Sequence, residues 1–193
     1  MTLHRNPADR TLKALLKKAR AFAVVGASDK PDRPSYGVMA FLLAHGYRVV
    51  PVNPGLAGQS ILGQRVYGHL ADVPAPIDVV DIFRAADAAM AVVANAVEEA
   101  QRLGVETVWM QLGVINEAAA AHARAAGLKV VMDRCPKIEI AHLGVPPKAN
   151  AATSVRARTA KRVTTNEECS RTGKTLARKS KAAAKRAPRK RKP

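Results

Sequence analysis

Five short apolar runs recur along the chain, at Ala21–Val25, Tyr47–Val52, Ile77–Ile82, Val105–Met110 and Leu128–Met132, and between them the apolar positions fall at helical spacing. The runs start about 23 to 30 residues apart, room for a strand, a crossover helix and a parallel strand. IDVVDIF and LKVVM are apolar on both faces, as strands of a sheet covered on both sides must be. Ahead of the first run, Asp9 is placed to cap a helix with Leu12, Leu15, Leu16 and Ala19 on one face and Lys13, Lys17 and Lys18 on the other. Gly46 and Gly104 suit helix ends, Asp87 or Asn116 suits a helix start, and Gly127 ends the last crossover. The pattern predicts a doubly wound α/β domain with a parallel five-stranded sheet, its runs ordered 3-2-1-4-5. Pro54 to Pro76 is irregular, rich in Gly and Pro, with a short apolar piece at Arg65-Val66-Tyr67.

Ligands of such sheets lie outside the carboxyl ends of the strands. Here those ends are Gly26-Ala27-Ser28, Asn53-Pro54, Phe83-Arg84, Gln111-Leu112-Gly113 and Asp133-Arg134-Cys135, and apart from Asp133 none carries an acid. The crevice is therefore expected to take an anion. The first βαβ unit sharpens this, because its loop carries Lys30 and Arg33 and its helix opens with Pro34-Ser35-Tyr36-Gly37. Ser35 is the expected N-cap, which would leave the N–H groups of Tyr36, Gly37 and Val38 facing a phosphate. An ordinary NAD site is excluded: after Gly26 the next glycine is Gly37, and the second run ends in Asn53-Pro54 where a ribose-reading acid is required.

Charge divides the 193 residues in two. Through Leu143 there are 16 Lys and Arg against 13 Asp and Glu; from Gly144 to Pro193 there are 16 against 2, with almost no apolar periodicity. This reads as a folded domain, 1–143, followed by a disordered cationic tail, 144–193. Cys135 and Cys169 fall one in each part, which argues against a structural disulfide and fits a reducing cytosol. There is no apolar run of membrane-spanning length and no signal-peptide pattern, so no membrane partner is expected and the location is expected to be cytoplasmic.

VVGASDKPDRPSYGV, GYRVVPVNP, ILGQRVYGHLADVP, IDVVDIFR, VWMQLGVINEAAA and VVMDRCPKIE, in one register from about Thr11 to Leu143, resemble the small bacterial CoA-binding proteins. The fold of that family is similar to the N-terminal CoA-binding domain of the succinyl-CoA synthetase alpha subunit. The resemblance implies a Rossmann-type domain that binds coenzyme A or an acyl-CoA. By position it implies that Gly26, Ala27, Ser28 and the loop Lys30, Arg33, Pro34, Ser35, Tyr36 hold the nucleotide phosphates. It also implies that Asn53 and Pro54 border the adenosine, and that Phe83, Arg84 and Gln111 line the cleft. The tail has no counterpart in the family pattern.

Each residue also has a plainer reading. The plainer role of Lys30 and Arg33 is as solvated loop charges, and that of Arg84 is a pair with Asp81 or Asp87. Trp109, inside a strand, reads as core, whereas Gln111 at a strand end is more open to a ligand. Asn116-Glu117 suits a helix cap. The histidines, at 4, 45, 69, 122 and 142, have no ligand spacing, so no metal is expected. Cys135 stands between Arg134 and Lys137, which favour a thiolate able to form a mixed disulfide with the CoA thiol; its other reading is a small half-buried residue in a tight turn. No nucleophile, base and oxyanion hole assemble from the sequence, so no catalytic residue is assigned. Three functions remain: a non-catalytic CoA or acyl-CoA binding module, a nucleic-acid-associated protein using the domain as scaffold and its tail for non-specific contacts, and a small acyl-CoA-processing enzyme.

Overall fold

The computed structural model describes residues 5–149. Most of the cationic tail, with the disorder expected of it, and Cys169 lie outside the described residues.

The chain enters through α1 (Asp9–Lys18), which buries Leu12, Leu15 and Leu16. Ala8, not Asp9, is its N-cap; Asp9 sits in the first turn, where its charge meets the positive end of the helix. There follow β1 (Ala21–Val25), α2 (Pro34–Ala44), β2 (Arg48–Val52), a two-stranded hairpin of β3 (Ser60–Ile61) and β4 (Gln64–Arg65), and β5 (Val79–Ile82). The chain continues through α3 (Ala89–Glu98), α4 (Ala100–Leu103), β6 (Thr107–Met110), α5 (Glu117–Ala125), β7 (Lys129–Val131) and α6 (Pro136–His142). As expected, Asn116 caps α5, its side-chain oxygen accepting the Ala119 N–H at 2.9 Å.

The five main strands form one parallel sheet ordered β2-β1-β5-β6-β7. In terms of the five apolar runs this is 2-1-3-4-5 and corrects the expected 3-2-1-4-5. Pro51 supplies the reason. Proline has no N–H to give to a second ladder and so belongs on an edge strand; β2 is that edge, and Val52 makes an isolated bridge to Tyr67. The expected order would have flanked Pro51 on both sides. The irregular stretch from Pro54 to Pro76 carries the chain back past β1, so that Phe22 pairs with Val79 and Val25 with Ile82.

Side chains alternate across the sheet. Ala21, Ala23, Val80, Ile82, Val108 and Met110 pack into one core with residues of α3 and α5, and Phe22, Val24, Val79, Trp109 and Val131 into another with α1, α2 and α6. Trp109 is core, as its strand position implied: it is fully buried and its indole N–H donates to the Arg134 carbonyl at 2.7 Å.

The first residues of the tail pack on the domain. Val145 is buried, the Lys148 N–H donates to the His45 carbonyl, and the Lys148 ammonium donates to the carbonyls of Leu16 and Lys17 at the end of α1. That ammonium also stands 4.8 Å from the centre of the Tyr47 ring, whose hydroxyl, pushed up to about 12 by burial, donates to the Leu16 carbonyl.

Candidate functional site

Neighbouring strands β1 and β5 send their connections to opposite faces of the sheet, β1 to α2 and β5 to α3. Parallel sheets open a ligand crevice at such a switch in order. Gly26, at the end of β1, makes this crevice possible. Its φ is +89°, and a Cβ there would lie 2.3 Å from the Phe83 carbonyl oxygen and 3.1 Å from Arg84 Cδ. Only glycine combines that backbone with that approach.

Two cavities flank the junction. The larger, about 680 Å³, is within the range of small-molecule sites. It is lined by Gly26, Ala27 and Ser28 just after β1, by Arg33, Pro34 and Ser35 from the start of α2, and by Asn53, Phe83, Arg84 and Gln111 from the other strand ends. The smaller, about 200 Å³, shares Gly26, Asn53 and Arg84 with it and adds Pro54. Lys30, exposed, and Tyr36, half-buried, line neither cavity.

The loop after β1 is shaped by its own bonds: Ser28 Oγ accepts the Lys30 N–H, and the Lys30 carbonyl accepts the Arg33 N–H. The helix start differs from expectation. Arg33 is the N-cap of α2 and Pro34 its first residue, and both Tyr36 and Gly37 donate to the Arg33 carbonyl. Pro34 fixes the first helical φ and has no N–H, so the donor left without a partner at this end, among the described residues, is Ser35, which is buried in the cleft wall.

Arg33 and Arg84 are exposed and form no ion pair among the described residues. The pair of Arg84 with Asp81 or Asp87 is not formed: Asp87 accepts the Ala88 N–H, and Asp81 is occupied by Gln111. Asn53 joins two strand ends, its amide donating to the Ala27 carbonyl at 2.7 Å and its oxygen accepting the Gly55 N–H at 2.9 Å. Cys135 lies in the larger cavity's wall and is buried, and burial pushes its thiol up. Neighbouring Lys137 pulls the other way but more weakly, so the cysteine is held as a neutral thiol.

Sequence reasoning missed Val114 in the larger cavity and Gly68, His69, Val92 and Asn95 in the smaller. Gly68 and His69 come from the irregular stretch and reach the site because Tyr67 is fixed to the end of β2, donating to Pro51 and accepting from Asn53. No local pattern announces that placement. Among the described residues no helix is long and apolar enough to cross a membrane.

The sequence model of the CoA binding domain family matches residues 20–141, and the chain belongs to that family. The uncharacterized protein YneT of Bacillus subtilis (strain 168) is 34% identical over 137 residues, 71% of this chain and 96% of YneT. A hypothetical protein from Pyrococcus horikoshii OT3 superposes with a TM-score of 0.67 at 36% identity, covering 74% of this chain and 99% of that one. The Ca. Korarchaeum cryptofilum dinucleotide forming acetyl-coenzyme A synthetase 1, in complex with phosphate and ADP, is also similar, with a TM-score of 0.52 and 26% identity over 63% of this chain but 27% of the synthetase.

Proposed function

We propose that the crevice between β1 and β5 binds coenzyme A or an acyl-CoA, and that the protein is a non-catalytic binding module of the cytoplasm. One observation carries this reading: a chain of the CoA binding domain family places around one cavity Gly26, the N–H of Ser35 and the guanidinium groups of Arg33 and Arg84, none of these donors partnered among the described residues. These donors match the diphosphate, which anchors the ligand in the middle of the site. The smaller cavity, with Asn53, Pro54, His69 and Asn95, takes the adenosine, and the larger takes the pantetheine arm.

A neutral, buried Cys135 and the absence of any nucleophile bonded to a base among the described cleft residues favour binding over chemistry. The likeness to the synthetase covers about a quarter of that enzyme, which favours a shared ligand module rather than a shared reaction.

Thermal shift with CoA, dephospho-CoA and NAD tests the reading, because a ligand that binds only the native state raises its stability by mass action. CoA is expected to stabilise most. Equal or greater stabilisation by NAD overturns the assignment.

A second partner is favoured by charge. From Gly144 onward 16 Lys and Arg face 2 acids, and Lys148, the first of these cations, joins Lys17, Arg20 and Arg48 around a cavity of about 350 Å³ at the amino ends of β1 and β2. We infer that the tail binds nucleic acid through phosphates, without sequence preference.

A further inference from the structure

Among the described residues three large apolar side chains stand exposed: Leu112 at 57%, Ile115 at 55% and Ile138 at 52%. They come from the segments that follow two neighbouring strands, β6 and β7. Leu112 and Ile115 follow β6, and Ile138 lies in the first turn of α6. The two segments are fastened together, for Asp133 accepts the Gly113 N–H at 2.8 Å and the Arg134 N–H donates to the Met110 carbonyl. Each exposed residue also continues a residue of the cavity wall: Leu112 lines the larger cavity itself, Ile115 follows Val114, and Ile138 lies three positions beyond Cys135. Along the chain, the cavity lining at Leu112, Val114 and Cys135 thus passes directly into exposed apolar residues.

We infer that this surface is an acyl subsite, and that the ligand is a CoA thioester with an aliphatic chain rather than free CoA. The inference rests on the crevice holding coenzyme A. With the diphosphate at Ser35, Arg33 and Arg84, the two ends of the ligand point in opposite directions. The smaller cavity offers Asn53, His69 and Asn95, matched to a base and a ribose. The larger cavity offers Val38, Leu112, Val114 and Cys135, matched to the pantetheine arm, and of these Leu112 is exposed, so the thiol end leaves the cleft by Leu112, the side on which the chain carries Ile115 and Ile138 next to the wall residues Val114 and Cys135. A second copy of the chain fits this surface less well. Three half-exposed aliphatic side chains amount to a few hundred Å² at most, well short of the roughly 800 Å² per partner that a stable interface buries.

The test is calorimetric titration of the full chain with CoA, acetyl-CoA, butyryl-CoA and octanoyl-CoA, repeated on the double variant Ile115→Asn, Ile138→Gln, with sedimentation velocity on both proteins. Affinity is expected to rise with chain length, by about tenfold or more from CoA to octanoyl-CoA. The variant is expected to bind CoA as the natural chain does and to lose most of that gain. If CoA binds and octanoyl-CoA binds no more tightly, or the variant keeps the gain, the subsite is refuted while the coenzyme reading stands. If no thioester and no CoA binds, both fall. A natural chain that sediments as a dimer and a variant that does not would overturn the subsite in favour of an interface between copies.

Discussion

The side-chain amide of Gln111 stands 3.0 and 3.1 Å from the two carboxylate oxygens of Asp81, and both side chains are buried beneath the crevice. Burial pushes the Asp81 carboxyl from 3.8 up to about 8, against a smaller downward pull from the Gln111 amide. Between those values the folded chain keeps a proton that the unfolded chain has released, so stability falls as pH rises from about 4 to about 8 and levels off above. Asp81→Asn has no proton to lose. Its stability relative to the natural chain is expected to be lowest near pH 4 and to grow by a few kcal/mol by pH 8. Urea denaturation of both proteins at pH 5 and pH 8 measures this, and a difference that does not change with pH would show that Asp81 titrates normally.

Gly26→Ala is expected to lower stability by roughly 2 kcal/mol or more, because it combines a left-handed backbone with a clash against the Phe83 carbonyl. Movement of Phe83 and Arg84 to relieve the clash deforms the crevice, so CoA binding is lost as well. Full CoA affinity in this variant would move the site away from the β1–β5 junction.

Arg33→Ala and Arg84→Ala act differently. Both side chains are exposed and neither holds an ion pair among the described residues, so stability is expected to change little. Each charge-assisted contact to phosphate contributes roughly 1.5–3 kcal/mol, and CoA affinity is expected to fall by about tenfold or more in each variant. Unchanged calorimetric affinity in both places the phosphates elsewhere.

Cys135 is a neutral thiol in the cavity wall. In a Cys169→Ser chain at pH 7.5, iodoacetamide is expected to label it at least about tenfold more slowly than a free cysteine, and saturating CoA is expected to slow labelling further. Fast labelling that CoA does not affect contradicts both its burial and its place in the site.

The tail is tested by comparing the full chain with one ending at Ala149, a cut that preserves buried Val145 and the bonds of Lys148. Binding to unrelated duplexes is expected to fall with salt at a log–log slope near −0.9 per phosphate neutralised, to vanish on truncation, and to be indifferent to CoA. Duplex binding that survives the cut would assign it to the folded domain.

Most of the fold was legible because it is written locally. The face of Leu12, Leu15 and Leu16, the Asn116 cap and the two-faced apolar run around Val80 each follow from spacing alone. Strand order is not local, since it depends on where a 20-odd-residue connection lands, yet Pro51 held the answer: a strand without one of its N–H groups belongs on the edge. Of the cavity linings, the strand-end residues were legible because a doubly wound sheet opens its crevice at the strand ends. His69 and Asn95 were not, because the first arrives through irregular chain and the second from a helix with no polar signature. Gln111 shows a further limit. Its position at a strand end is open to the cleft, but its amide is tied to Asp81, a partner 30 residues away in sequence.

Strands β1 and β2, five residues each, separate the cations at Arg20 and Arg48 from the crevice at Gly26 and Asn53. At about 3.3 Å per residue that is roughly 16 Å, about twice the Debye length of 8 Å at physiological ionic strength. A polyanion gathered at one end would therefore be nearly invisible, as a field, to a thioester held at the other. Any dependence of one binding event on the other has to travel through the sheet as a change of shape, and it would persist in salt that abolishes an electrostatic one.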